Sequence, residues 1–152
     1  MASRTSTSVL SVAPLALLVA AASACSSPTL TADEYATEMN ALCVANGDTV
    51  NEIGAPESLE DMATLGPQFA AALDETLDSM AELAPPEMLA DQANLFVELG
   101  REQSALLNDV ATTAGSDDPA AYAEISGEMI AIGEESNEVA ASLGATFCIT
   151  GG

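Results

Sequence analysis

The sequence predicts an all-α domain, an antiparallel up-down-up-down four-helix bundle closed by one disulfide. Three observations predict it. Four stretches place apolar residues every three or four positions, and none alternates apolar and polar residues as a half-buried strand would. Each stretch is bounded by residues that start or stop a helix. Two cysteines, Cys43 and Cys148, stand in the first of these stretches and after the last.

The first helix opens in TLTADEY, where Thr31 and Glu34 have capping-box spacing and Leu30 and Tyr35 that of a hydrophobic staple. Its stripe runs Tyr35, Met39, Leu42, Asn46, Val50 and Ile53, so the helix is expected to pass through Gly47 and stop before Pro56. Ser58 followed by Asp61 opens the second helix, with Leu59, Met62, Phe69, Leu73, Leu77, Met80 and Leu83 on its buried side. Gly66-Pro67 is expected to kink or restart it, because proline fits a first turn better than a helix interior.

Ala84-Pro85-Pro86 ends the second helix, and the third is expected from Pro86 or Glu87, carrying Leu89, Ala93, Phe96, Leu99, Gln103, Leu106 and Val110. The fourth has Asp118 as N-cap, Pro119 at the first position and Gly144 as its stop. Tyr122, Ile125, Met129, Ile132, Ser136, Val139 and Leu143 form an unbroken heptad stripe. Beside it, Ser126, Gly133 and Ala140 are small enough for a neighbouring helix to come close. Short connections make the up-and-down bundle the simplest packing of four such helices. If the tail folds back along such a bundle, Cys148 reaches Cys43.

Residues 15–30 read LALLVAAASACSSPTL. The apolar run from Val9 to Ala22, interrupted by Pro14, is shorter than the about 20 residues that cross a bilayer. It reads as a secretory signal over residues 1–24. Ala22-Ser23-Ala24 suits an ordinary cleavage site, after which Cys25 would be free or would cross-link two chains. Ala22-Ser23-Ala24-Cys25 also resembles the lipobox of bacterial lipoproteins, although that family usually has Leu where Ala22 stands. In such a protein the cysteine thiol is acylated and the chain is cut just before it. An exported chain with 3 cysteines should not leave an odd thiol. Lipid on Cys25 leaves Cys43 and Cys148 as an even pair. The expected organisation is a signal peptide (1–24), a lipidated Cys25 with a short tether (25–30), and the bundle (31–152).

After residue 24 the chain keeps all 24 acids against the single Arg101, with no lysine or histidine, a formal charge of −23. Such a surface repels phosphates, so no nucleic acid partner is expected. The acidity reads either as a solvated surface suited to its surroundings or as a surface for cations or a basic partner. Without histidine there is no imidazole base or ligand, and without lysine or a spare thiol no ready nucleophile. No cofactor, no metal and no enzymatic activity are expected, although carboxylate pairs keep a hydrolase as a remote alternative.

Four features remain as candidates. Asn46, Gln103 and Ser136 interrupt apolar stripes on three helices, which reads first as a buried hydrogen-bonded layer fixing helix register and second as a polar pocket. Asp74, Asp78 and Glu82 form an acidic ridge, read as a solvated face or a weak cation site. The methionines on the stripes read as core, and Arg101 as the surface partner of Glu98.

With the lipobox at Ala22 to Cys25, Cys43 in the first helix, the Leu83-Ala84-Pro85-Pro86 break, and Leu143-Gly144 followed by Cys148, the chain resembles the small, uncharacterised helical lipoproteins of high-GC Gram-positive bacteria. The resemblance implies an exported protein anchored by lipid to the outer face of the cell membrane, and a disulfide-closed bundle. It brings no activity. Three functions follow as expectations: contact with an envelope protein or polymer, which is the preferred reading; a small-molecule or cation carrier or sensor; and a carboxylate-based hydrolase. An exposed apolar patch ringed by acids favours the first, a pocket centred on Asn46, Gln103 and Ser136 the second, and two inward carboxylates in a cleft the third.

Overall fold

The computed structural model describes residues 29–149 except 117. The signal segment and Cys25 lie outside the described residues. Among the described residues there are four α-helices and no strand: α1 (Ala32–Ile53), α2 (Leu59–Ala81), α3 (Ala90–Ala114) and α4 (Pro119–Ser142), with 3-10 turns at Glu87–Leu89 and Thr146–Cys148. They form a helical bundle in which α1 packs on α2, α2 on α3 and α3 on α4. The Thr146–Cys148 turn packs on both α1 and α4.

Helix starts follow their capping chemistry. The Thr31 hydroxyl accepts from the Glu34 N–H, and the Glu34 carboxylate accepts from the Thr31 N–H at 2.9 Å, completing the capping box. Leu30 packs against the cluster that contains Tyr35, as a staple requires, and its N–H donates to the Ala84 carbonyl. Ser58 caps α2 by accepting from the Asp61 N–H, and the Asp118 carboxylate caps α4 by accepting from the N–H groups of Ala120 and Ala121. Gly144, at φ 72°, takes the left-handed conformation that ends α4.

α2 does not restart at Gly66-Pro67; it is one helix over 23 residues. Its period is held by α3 on both sides of the proline, with Gly66, Ala70, Leu77 and Met80 all buried, while Pro67 itself is exposed. That shared burial outweighs the roughly 3 kcal/mol a proline costs inside a helix. Gly66 is needed for the close approach: a Cβ there would lie 2.7 Å from the Ala111 Cβ and 3.2 Å from the Leu107 carbonyl oxygen. At Gly100 of α3 a Cβ would run into the Leu77 side chain. The third helix begins later than its first proline suggests, because Glu87–Leu89 forms a 3-10 turn before α3 starts at Ala90.

The core gathers Tyr35, Met39, Leu77, Met80, Ala93, Phe96, Ala140, Leu143 and Ala145. These come from the first half of α1, the last half of α2, the first half of α3 and the end of α4 with the tail. The Cys43–Cys148 disulfide sits beside them, with a Cα–Cα distance of 5.1 Å, and ties positions 105 residues apart. Asn40 reinforces the tie: its Oδ1 accepts from the Phe147 N–H at 2.8 Å and its Nδ2 donates to the Gly144 carbonyl at 3.2 Å. The heptad stripe of α4 is less buried than its regularity predicts. Ser136 and Leu143 are buried, but Tyr122, Ile125, Met129, Ile132 and Val139 are half-buried, and Ile130 off the stripe is exposed. α4 packs chiefly on one helix, α3, and one neighbour leaves part of the stripe uncovered.

Candidate functional site

Asn46 of α1, Gln103 of α3 and Ser136 of α4 line one cavity of about 250 Å³. Their positions follow from the stripes. Asn46 lies one turn after Cys43 and one turn before Val50, and both neighbours also line the cavity. Gln103 follows Gly100 by one turn and extends toward α4, where its Nε2 would lie 3.3 Å from a Cβ added to Gly133. The small residue at 133 leaves room for the Gln103 amide. Ser136 is the next turn of α4 and is only 9% exposed.

The rest of the wall is apolar. Leu73, Leu77, Met80 and Phe96 form its floor toward the core, and the Cys43–Cys148 disulfide contributes one side. Phe147, 70% exposed yet lining the cavity, stands at its rim. No ionisable carboxylate or arginine is among the described lining residues, in a chain that carries 24 acids.

The hydrogen-bonded layer expected of these residues does not form. Thr76 Oγ1 of α2 lies 3.3 Å from Asn46 Oδ1 and 3.0 Å from the Ala72 carbonyl, and its one proton is shared between these two acceptors. Neither the Gln103 amide nor the Ser136 hydroxyl has a hydrogen bond to another described residue. The contrast with the adjacent Ser104 is direct: that buried hydroxyl donates to the Ala70 carbonyl across the α2–α3 contact at 3.2 Å. The three side chains line one cavity without a hydrogen bond joining one to another.

The acidic ridge is arranged differently from its sequence reading. Asp78 is bound by Arg101 of α3, Nη2 to Oδ1 at 2.9 Å, and both side chains are largely exposed. Arg101 therefore crosses between helices instead of pairing with Glu98 along its own, and it offsets the ridge at its centre. Asp74 is exposed, and Glu82 caps the end of α2. Among the described residues no three Asp, Glu, Cys or His side chains are grouped to hold a metal ion. Met39 and Met80 are buried in the core, whereas Met88 is 78% exposed.

Among the described residues two titrating groups are shifted, both at the start of α1. Hydrogen bonds from the Thr31 N–H, and then from its hydroxyl, hold the Glu34 carboxyl below its ordinary value. Burial pushes the Tyr35 phenol up. Both belong to the packing and capping of α1, away from the cavity.

The sequence pointed to Asn46, Gln103 and Ser136 through the breaks they make in apolar stripes. It gave no comparable sign of Phe147, which lies beyond the last helix, of Asn137, which also lines the cavity, or of Asn40. No helix among the described residues is long and apolar enough to cross a membrane. No family model matches the chain, and neither a curated protein nor a solved structure is similar to it.

Proposed function

We propose that this is a lipid-anchored, non-enzymatic carrier or sensor of the outer face of the cell membrane, which holds a small molecule among its helices. Residues 1–24 would direct export, and acyl chains on Cys25 would anchor the chain, two being enough for stable attachment. The tether of residues 25–30 would keep the bundle within about 20 Å of the membrane. The four helices are read as up-down-up-down, supported by Gly66 lying against Ala111 while Leu77 lies against Gly100.

One observation carries the functional reading: three polar side chains from three helices meet on one cavity, and two of them have no hydrogen-bonding partner among the described residues. Contact with an envelope protein or polymer is the second reading, favoured by the exposed Phe147 and Ile149 of the tail. No carboxylate pair among the described lining residues supports a hydrolase.

The test has two arms. Mass spectrometry of protein extracted from membranes should find a diacylglycerol-modified Cys25, and an unmodified mature N-terminus ends the anchor reading. A thermal-shift screen of small molecules should give stabilising compounds whose NMR shifts map to Asn46, Gln103 and Ser136. Stabilising compounds that all map elsewhere, or none at all, end the carrier reading.

A further inference from the structure

We infer that the cavity selects an uncharged molecule of small size, with an apolar body and one head group that both donates and accepts hydrogen bonds, such as a primary amide. This rests on the carrier reading and assigns the chemical class of its ligand.

Size comes first. A cavity of about 150 Å³ in another protein is known to take benzene. By that scale the 250 Å³ here accommodates a ligand of roughly ten non-hydrogen atoms.

Charge comes next. An ion entering this half-open cavity gives up part of its hydration and meets no opposite charge among the described lining residues. An anion must also pass the field of a chain whose formal net charge is −22. A cation is drawn toward that surface, but the acids that attract it do not line the cavity.

The head group follows from the partners it meets. Gln103 presents an amide, and Ser136, a residue only 9% exposed, presents a hydroxyl; each side chain can both donate and accept. A purely apolar guest strips water from both groups and leaves them unpaired. A head that only accepts or only donates satisfies them in part. Asn46 adds a second amide to the lining, whose Oδ1 shares the Thr76 proton with the Ala72 carbonyl and whose Nδ2 is a further donor. The body then lies against Leu73, Leu77 and Phe96, with the Phe147 ring at the rim.

A matched probe set tests this, because benzamide, ethylbenzene, benzoate and benzylammonium share a ring and differ in the head. Dissociation constants are measured by NMR titration of the folded protein with its disulfide intact. Benzamide should bind at least fivefold more tightly than ethylbenzene and at least tenfold more tightly than either ion. Gln103→Leu, with circular dichroism to confirm folding, should reverse the preference between benzamide and ethylbenzene.

Gly47→Leu provides the second variant. Gly47 lines the cavity and an added Cβ there meets nothing within 4 Å, so the longer side chain should fill the cavity without displacing the helices and should abolish binding of every probe. If benzoate or benzylammonium binds as tightly as benzamide, or if Gln103→Leu leaves the preference unchanged, the ligand class is wrong while the carrier reading stands. If no probe binds, or if folded Gly47→Leu binds them as well as the parent chain, the cavity is not a binding site and both readings fall together.

Discussion

Met39 and Ile53 lie on the same stripe of α1, yet Met39 is fully buried and Ile53 only half so. The same gradient runs along α4, from the buried Leu143 to the half-buried Tyr122, Ile125 and Met129. Near the disulfide all four helices and the tail contribute to one cluster. Away from it, the fully buried residues lie on α2 and α3, where Gly66 meets Ala111 and where Val110 and Ala114 are buried. α2 and α3 pack closely through small residues, whereas the outer helices α1 and α4 are linked through the tail, which packs on both. The cavity lies beside that junction, with the disulfide in its wall.

The largest expected effect is therefore loss of the tie. Reduction, or Cys148→Ser, should lower stability by about 4 to 5 kcal/mol on the chain-entropy model for a loop of this length. Helix content in native conditions should fall little, because the α2–α3 contact does not depend on the bond. Urea denaturation followed by circular dichroism, with and without reductant, measures both. A loss under about 1 kcal/mol would mean that the two halves are not distinguished by the covalent bond at all.

Core truncations sharpen the same contrast. Leu77, 1% exposed and central to the cluster, should cost about 2 to 5 kcal/mol as Leu77→Ala. Ile125→Ala, on the half-buried part of α4, removes a similar volume and should cost about half as much or less. Equal losses in urea midpoint would show that α4 is as firmly packed at its start as at its end.

Glycine substitutions probe the α2–α3 contact, which is tight in both halves. Gly66→Ala should destabilise by about 1 to 3 kcal/mol, because the new Cβ meets backbone as well as the Ala111 side chain. Gly127→Ala, on α4 where an added Cβ meets nothing within 4 Å, should instead stabilise by up to about 1 kcal/mol through helix propensity. A stabilising Gly66→Ala would mean that α2 and α3 can separate at no cost.

These sites also show what the sequence made legible. Caps and periods depend on residues a few positions apart, so the starts at Thr31, Ser58 and Asp118 and the stop at Gly144 were readable, and so was the pairing of Cys43 with Cys148. The breaks at Asn46, Gln103 and Ser136 marked three positions that do meet. Periodicity could not show that they meet across a cavity, because it reports which face of a helix is apolar and nothing about the distance to the next helix. It also overrated α4, whose regular stripe is only partly covered, and it missed Arg101 reaching Asp78, a contact between helices. The restart expected at Gly66-Pro67 is absent because local propensity favours a break there and packing against α3 overrides it.

The smallest effect belongs to the capping box at the start of α1, inside the well-packed half. Thr31→Ala removes one side of the box and should cost about 1 kcal/mol. The other side titrates. Glu34 has its folded pKa lowered, so the unfolded chain binds the proton more readily; its contribution is present above the ordinary value of 4.5 and is lost as pH falls through the lowered folded value. Glu34→Gln keeps an acceptor at the same position but cannot titrate. Between neutral pH and about pH 3, it should lose less stability than the parent chain. Glu38→Gln, exposed on the same helix and outside the box, is the control for general relief of acidic repulsion. If both variants flatten the acid response equally, the response reports net charge alone, and the capping box adds nothing to the pH dependence of the half it helps to build.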